Sequence, residues 1–396
     1  MSLQTPKGIG IYLVQPMPPI LYLFALTNLV IGTGAFVLTG ILKPMSDDLG
    51  VSVAAAGQAM TAYAVASAFL APLAIVATGR WRRKRALQFG LVLFFAGSVV
   101  CAVSPNLSAL LGGRALMGIG SMYSALASGL VVVMVPPAVR ARALALVFSG
   151  ISLSYAIGLP LGTWLGFTYG WHAPVALVAV GCLLAIAALS YFLPHTFAAP
   201  GASFAGLGGV LRRWDIVRIW ARTLLYFVAI FSVFAYVGPV LQALYPMSAS
   251  QLSFALVLFG ISGVVGTFAG GWASDRFGPI RTLRFNLAAF IITMLCVPLT
   301  LGSYPLVVGI FIFWGVAGFS LGAPQMSRMT SLLPAQAPLL LSLNASMIYL
   351  GTALGAIVSG AVVVSVGFDK LAWVGAPFAM AAYASLWFDK TSNSET

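Results

Sequence analysis

Charge is what this sequence lacks. Only 7% of its 396 residues are Asp, Glu, Lys or Arg, while 61% are hydrophobic; a soluble domain carries about 25% charged residues. That deficit excludes a water-facing surface over most of the chain, so lipid must cover it. Acids are scarcest. Asp47, Asp48, Asp215, Asp275, Asp369, Asp389 and Glu395 are all seven, and each falls in a loop, a tail or a helix edge. The two histidines, His172 and His195, also lie at helix ends. Cys101, Cys182 and Cys296 sit inside apolar runs, where buried thiols are expected and a disulfide framework is not. There is no G-x-x-x-x-G-K-[ST] loop, no H-E-x-x-H pair and no cysteine cluster at metal spacing. Too few titratable groups remain in the apolar runs for acid–base chemistry. An enzyme is excluded on these grounds, and no cofactor or metal is expected. A sensor or scaffold would normally append a soluble domain, and no segment here is long enough to be one.

What is present is a series of long apolar runs. A bilayer crossing takes about 20 residues as a helix, so this length accommodates about a dozen. A membrane β-barrel would need alternating polar positions, whereas Ala176 to Leu189 and Leu306 to Val316 are apolar all round. Apolar windows bounded by charge or turn residues predict spans near 20–42, 53–78, 86–104, 108–134, 143–166 and 174–193. A second set follows near 217–243, 249–272, 283–302, 306–327, 339–365 and 371–388. The fold class expected is an all-α membrane protein of twelve transmembrane helices in two pseudo-symmetric six-helix bundles.

The net charge of +13 would suggest nucleic acid in a soluble protein, but its placement argues for lipid instead. With a cytoplasmic N-terminus, sixteen Lys and Arg residues fall on the inner side. Only Lys43 and Lys370 fall outside, and Arg114 and Arg222 lie within or at the edge of spans. By the positive-inside rule both termini are expected in the cytoplasm. No cleavable signal is expected in Met1 to Gln15. A Gly-Ala-Ser-rich and basic loop from Pro194 to Asp215 is the expected linker. The predicted organisation is an N-terminal bundle 1–193, a cytoplasmic linker 194–215 and a C-terminal bundle 216–396. A shift of 197 residues lays Ala74–Lys84 over Gly271–Arg281 and Gly118 over Gly315. Parallel duplication of six helices is a known transporter plan.

Several motifs carry a resemblance. Gly271-Trp-Ala-Ser-Asp275-Arg276-Phe-Gly278-Pro-Ile-Arg281 lies between helices 8 and 9, where glycine permits close approach and a tight turn. It resembles the loop signature of the major facilitator superfamily, in which that loop is a cytoplasmic latch. The first-half copy, Ala74 to Arg85, keeps the basic cluster but has Thr78 where the aspartate belongs. Arg114-Ala-Leu-Met-Gly118-Ile-Gly120 is similar to the family's arginine-bearing fourth-helix motif. Gly158-Leu-Pro160-Leu-Gly162-Thr163, closed by Gly170-Trp171, resembles the fifth-helix motif of its exporting branch. Helix 1, with Gly32-Thr33-Gly34-Ala35-Phe36-Val37, and helix 7, with Phe234-Ala-Tyr236-Val-Gly238-Pro239, are similar to the twelve-helix drug:proton antiporters near the arabinose-efflux permeases.

The resemblance implies an inner-membrane efflux antiporter working by alternating access on a small-molecule substrate, with protons or another counter-ion, as a monomer. One departure stands out. Relatives often carry an acid in helix 1 near the place of Ala35, and proton coupling commonly uses a buried carboxylate or histidine. Arg114 is then the most informative charge. It is expected to meet backbone carbonyls, water or an anionic substrate, or to snorkel outward. Arg222, near Asp215, reads as a cytoplasmic-edge anchor. Polar and aromatic residues inside spans are the candidates for a cavity lining: Asn28, Thr33, Thr39, Gln58, Tyr63, Tyr123, Tyr155, Tyr226, Tyr236, Gln325, Asn344 and Tyr349. Helices 1, 4, 7 and 10 line the path in this superfamily, which ranks Asn28, Tyr123, Tyr236 and Gln325 higher. The phenylalanines read as lipid-facing or packing, and Trp81, Trp171, Trp214, Trp220 and Trp387 as interface anchors. Export of a largely apolar or weakly polar organic compound is the leading expectation. The alternative is uptake or facilitated movement of an organic anion drawn by Arg114.

Overall fold

The computed structural model describes residues 17–136, 140–194, 209, 212–333 and 337–388. Most of the expected linker, His195, Asp389 and Glu395 lie outside the described residues. The described chain is helical almost throughout. Among the described residues, eleven helices are long and apolar enough to cross a bilayer. The exception is the fourth crossing, which Ser121 divides into Leu107–Gly120 and Met122–Met134. At 1.5 Å per residue neither piece spans about 30 Å of hydrocarbon alone. Together they make the twelfth span.

Numbered in chain order, span 1 is Pro19–Phe36 followed by a 3₁₀ turn at Val37–Gly40. Span 2 is Val53–Val65, a π turn at Ala66–Leu70, and Ala71–Ala77. Span 3 is Arg83–Ala102, and span 4 is the divided helix. Span 5 is Arg140–Leu153, a π turn at Ser154–Gly158, and Leu159–Tyr169; span 6 is His172–Phe192. Span 7 is Trp214–Phe234 and Val237–Leu244, and span 8 is Ala249–Phe277. Span 9 is Pro279–Cys296, and span 10 is Tyr304–Phe319 and Gly322–Leu332. Span 11 is Ala337–Val366, and span 12 is Leu371–Ala384.

Five of the six interruptions, all but that of span 4, have a common chemical cause. Proline has no N–H for the carbonyl four residues earlier and clashes with it. Pro44, Pro72, Pro160, Pro239 and Pro324 place that lost bond at Gly40, Ala68, Ala156, Ala235 and Ser320. Each of these residues lies in or next to the 3₁₀ turn, π turn or break of spans 1, 2, 5, 7 and 10. Pro377 is tolerated inside span 12 without such a break.

Packing obeys an internal two-fold rule. Span 1 packs on spans 5 and 6 as span 7 packs on spans 11 and 12. Span 3 packs on spans 4 and 6 as span 9 packs on spans 10 and 12. The interruptions follow the same rule, with a better register than the loops suggest. Phe234, the last helical residue before its break, lies 198 residues after Phe36, and Ser320 lies 199 residues after Ser121. The bundles meet through spans 2 and 11, spans 5 and 8, and the ends of spans 1 and 7.

That last contact is at the end remote from the chain termini. Val37–Gly40 and Leu42–Asp48 lie against Val237–Leu244 there, and a Cβ on Gly238 would sit 2.6 Å from the Gly40 carbonyl oxygen. At the other end, Met122–Met134 and Gly322–Leu332 each pack within their own bundle.

Candidate functional site

Arg114 lies in span 4 and is 1% exposed, so it does not snorkel. An α-helix leaves its last four carbonyls without intrahelical partners, and span 1 turns to 3₁₀ just after Phe36. Arg114 supplies what those carbonyls lack. Its Nη1 donates to Gly34 O at 2.6 Å and its Nη2 to Ala35 O at 2.7 Å. Thr33 O accepts the Val37 N–H, and Phe36 O accepts from Thr39 Oγ1 at 2.7 Å. The rest of the guanidinium is also occupied. Nε donates to Ala59 O in span 2 at 3.1 Å, and Met117 and Met60 sulfurs lie 3.9 and 3.8 Å from Nη1 and Nη2. The Tyr63 ring lies 4.7 Å beneath it. The negative end of the span 1 dipole therefore stands where a carboxylate would otherwise neutralise the charge.

Arg222 differs from the edge anchor expected for it. It is 2% exposed, and its Nε donates to Ser385 Oγ, the residue just after span 12, at 2.8 Å. Asp215 pairs with Arg213 instead, at 2.6 Å.

The polar candidates fall into two clips related by the internal symmetry. In the first half, Asn28 donates to Val147 O at 2.9 Å and accepts from Ser124 Oγ at 2.7 Å, joining spans 1, 5 and 4. In the second, Gln325 donates to Ile219 O at 2.8 Å and to Thr223 Oγ1 at 3.1 Å. Thr223 in turn donates to Asn344 Oδ1 at 2.8 Å, joining spans 10, 7 and 11. Burial of both clips makes their hydrogen bonds part of bundle packing. Tyr123 is buried within the first bundle, edge-on to Phe24. Tyr226 donates to Gly318 O within the second.

Other candidates meet across the bundles. The Tyr236 hydroxyl lies 3.3 Å from both Ala54 O in span 2 and Ala356 O in span 11. Its ring fits only because Gly57 has no Cβ, which would fall 2.2 Å from it. Tyr63 meets Tyr349 edge to face at 6.2 Å. Tyr155 stacks on Phe36 at 4.8 Å and presents edges to Phe234 and Phe319 at 5.6 and 5.0 Å. Phe231 adds to this cluster at 6.1 Å from Phe36, and Trp314 lies 6.5 Å from Phe234. Phe36, Tyr155 and Phe319 are only half-buried despite their cross-bundle contacts.

The motif glycines act by proximity. A Cβ on Gly158 would lie 1.9 Å from Thr33 Oγ1, and one on Gly162 would lie 2.1 Å from Val37. Gly150 and Gly166 extend the stripe toward Ala25 and Ile41, while the Pro160 carbonyl accepts from Ser253 Oγ of span 8 at 3.2 Å. In the loop after span 8, Gly278 has φ +84° and needs to be glycine. The close approach to span 10 comes from Gly270, whose Cβ would lie 2.0 Å from Ser320 O, and not from Gly271. Asp275, Arg276 and Arg281 are exposed, and among the described residues Asp275 joins no ion pair. Trp171 and Trp220 are buried rather than interfacial, and Trp171 donates to Asp48 Oδ2 at 2.9 Å.

Of the aromatic cluster, sequence reasoning named Tyr155 and missed its phenylalanines, because phenylalanine inside a span is normally lipid-facing. The usable signal was position. Phe36, Tyr155, Phe234 and Phe319 each stand at an interruption, and prolines mark four of those interruptions in the sequence.

Comparison with known proteins agrees with this architecture. Residues 24–338 match the family model of the Major Facilitator Superfamily. The chain is 29% identical over 369 residues to the inner membrane transport protein YdhP of Escherichia coli (strain K12), covering 92% of this chain and 94% of that protein. It is 25% identical over 365 residues to a probable sugar efflux transporter of Mannheimia succiniciproducens, covering 92% and 91%. A bacterial homologue of the human lysosomal transporter Spinster, solved in an inward-facing and occupied conformation, has the same fold. Its TM-score is 0.78 at 15% identity, over 93% of this chain and 95% of that one. A D-xylose–proton symporter gives 0.75 at 16% identity, over 93% and 97%. The chain belongs to the major facilitator superfamily and is a multi-pass membrane transporter.

Proposed function

We propose that this transporter exports a small, largely apolar or weakly polar organic compound across an inner membrane by rocking two bundles, residues 1–193 and 216–396, about the path between them. One observation carries the reading: the bundles are in contact at the end remote from the termini, while among the described residues Met122–Met134 and Gly322–Leu332 make their main contacts within their own bundles at the other. The excess of Lys and Arg on the terminal side makes that side cytoplasmic, so the path opens inward. Half-buried rings at its centre suit an apolar cargo. The fifth-helix motif and the printed function of the sugar efflux relative favour export.

Transport in right-side-out and inverted vesicles tests direction. Inverted vesicles should accumulate the compound, and accumulation only by right-side-out vesicles would reverse the reading. Proton coupling lacks a mid-span carboxylate to carry it. The organic-anion alternative is weaker, because Arg114 has no donor left for a ligand while it caps span 1. The chain is taken to act as a monomer.

A further inference from the structure

We propose that Phe36, Tyr155, Phe234 and Phe319 form a gate across the path, hinged at the interruptions of spans 1, 5, 7 and 10, with Arg114 positioning the Phe36 leaf. This rests on the transport reading but not on cargo or direction.

Two rings belong to each bundle, and they interlock. Phe36 and Tyr155 stack at 4.8 Å, Phe234 meets them at 6.0 and 5.6 Å, and Phe319 closes on Tyr155 at 5.0 Å. Phe36, Phe234 and Phe319 are the last residues before the interruptions of spans 1, 7 and 10, and Tyr155 lies within the π turn of span 5. A ring placed at a hinge moves when the hinge bends, so opening needs no rotamer change against a packed wall. The cluster also stands at the border between the two regimes of packing. Beyond it, toward Gly40 and Gly238, the bundles touch backbone to backbone; on the other side the second pieces of spans 4 and 10 keep to their own bundles.

Arg114 acts on the gate through span 1. By holding the carbonyls of Gly34 and Ala35 it keeps that helix from continuing, and the next side chain is Phe36. Lysine offers one compact charge and cannot reach two carbonyls and Ala59 O in one geometry.

The test reads accessibility without any substrate. A cysteine replaces Gln58, which lies beyond the rings beside Tyr236 and Gly360. Cys296, the half-buried native thiol, is changed to serine. The full chain in vesicles is then exposed to a charged, impermeant methanethiosulfonate on the terminal side. Phe36→Ala and Phe319→Ala should each raise the reaction rate about tenfold, given two or three lost ring contacts. Phe319→Leu, which keeps apolar volume, should raise it less but in the same direction. Arg114→Lys should also raise it, and the Arg114→Lys/Phe36→Ala double variant should be no faster than Phe36→Ala alone. Unchanged rates in Phe36→Ala, Phe319→Ala and Phe319→Leu would overturn the gate. Additive rates in the double variant would overturn the positioning role of Arg114. A transporter with no such gate would still move its cargo, so failure here leaves the function reading standing.

Discussion

At Arg114 the cost of a buried charge is met by geometry alone. A guanidinium deep in a bilayer needs acceptors for five N–H groups, and this one finds three carbonyls and two sulfurs on spans 1, 2 and 4. The arrangement works only because span 1 stops being α-helical at Phe36 and frees its last carbonyls. Arginine and interruption therefore depend on each other. Arg114→Ala removes the donors, leaves those carbonyls buried and opens a void, a loss of about 2–5 kcal/mol from orphaned acceptors and lost packing. Chemical unfolding of the detergent-solubilised protein should register it as a lower midpoint. Restoring an acid at the neighbouring position, Ala35→Glu, is not expected to rescue Arg114→Ala, since the missing groups are donors.

At the level of helices, small residues decide who packs with whom. Spans 1 and 5 approach closely because Gly150, Gly158, Gly162 and Gly166 recur along one face, with Ser154 seated against Gly32. Lipid offers no hydrophobic drive between helices, so such close contact is what holds them. A Cβ on Gly150 would fall 1.9 Å from Ala25 O, and backbone cannot move aside as a side chain can. Gly150→Ala and Gly158→Ala should each lower stability by about 1–3 kcal/mol. Gly112→Ala and Gly129→Ala, which meet nothing within 4 Å and are exposed, should be neutral or gain up to about 1 kcal/mol from helix propensity. Thermal melting of the four variants side by side separates packing from propensity.

Here too lies the line between what the sequence discloses and what it hides. Span positions are legible because twenty apolar residues can do little else than cross lipid. The stripe on span 5 was visible as a motif. The division of span 4 at Ser121 was not, since no proline marks it and Ser121 bonds its own helix, Oγ to Gly118 O at 2.7 Å. Nor could sequence separate Trp171 and Trp220, buried in the fold, from Trp214 and Trp387 in the exposed ring of residues at span ends. Burial depends on which neighbour arrives from a distant span. Among the candidate residues, polarity pointed equally to cavity lining and to bundle clips such as Asn28 and Gln325.

For the whole molecule, the proposed rocking of the two bundles makes the glycine contacts between them a means of favouring the arrangement observed. Gly238 rests on the Gly40 carbonyl, and Gly260 rests on the Tyr155 carbonyl and the Ala156 backbone, each contact joining opposite halves. A Cβ at Gly260 would lie 2.4 Å from both of the groups it meets. Neither glycine is required by its dihedrals, because among the described residues φ is positive only at Gly50, Gly170, Gly278, Gly302 and Gly367. Substitution therefore penalises one arrangement of the bundles without straining the helices themselves. Gly238→Ala at the sealed end, and Gly260→Ala level with the ring cluster, should each push the bundles apart there and draw the terminal-side ends together. A penalty of about 1–3 kcal/mol on one state of a two-state pair shifts its equilibrium roughly five- to 150-fold. Spin labels on Ser128 and Ser331, in the second pieces of spans 4 and 10, would report this as a shift toward shorter distances. Gly309→Ala, with nothing within 4 Å, is the control and should leave the distribution unchanged. If both glycine variants kept the longer distance and only melted sooner, these contacts would serve cohesion alone, and the balance between the two arrangements would have to be set by other contacts.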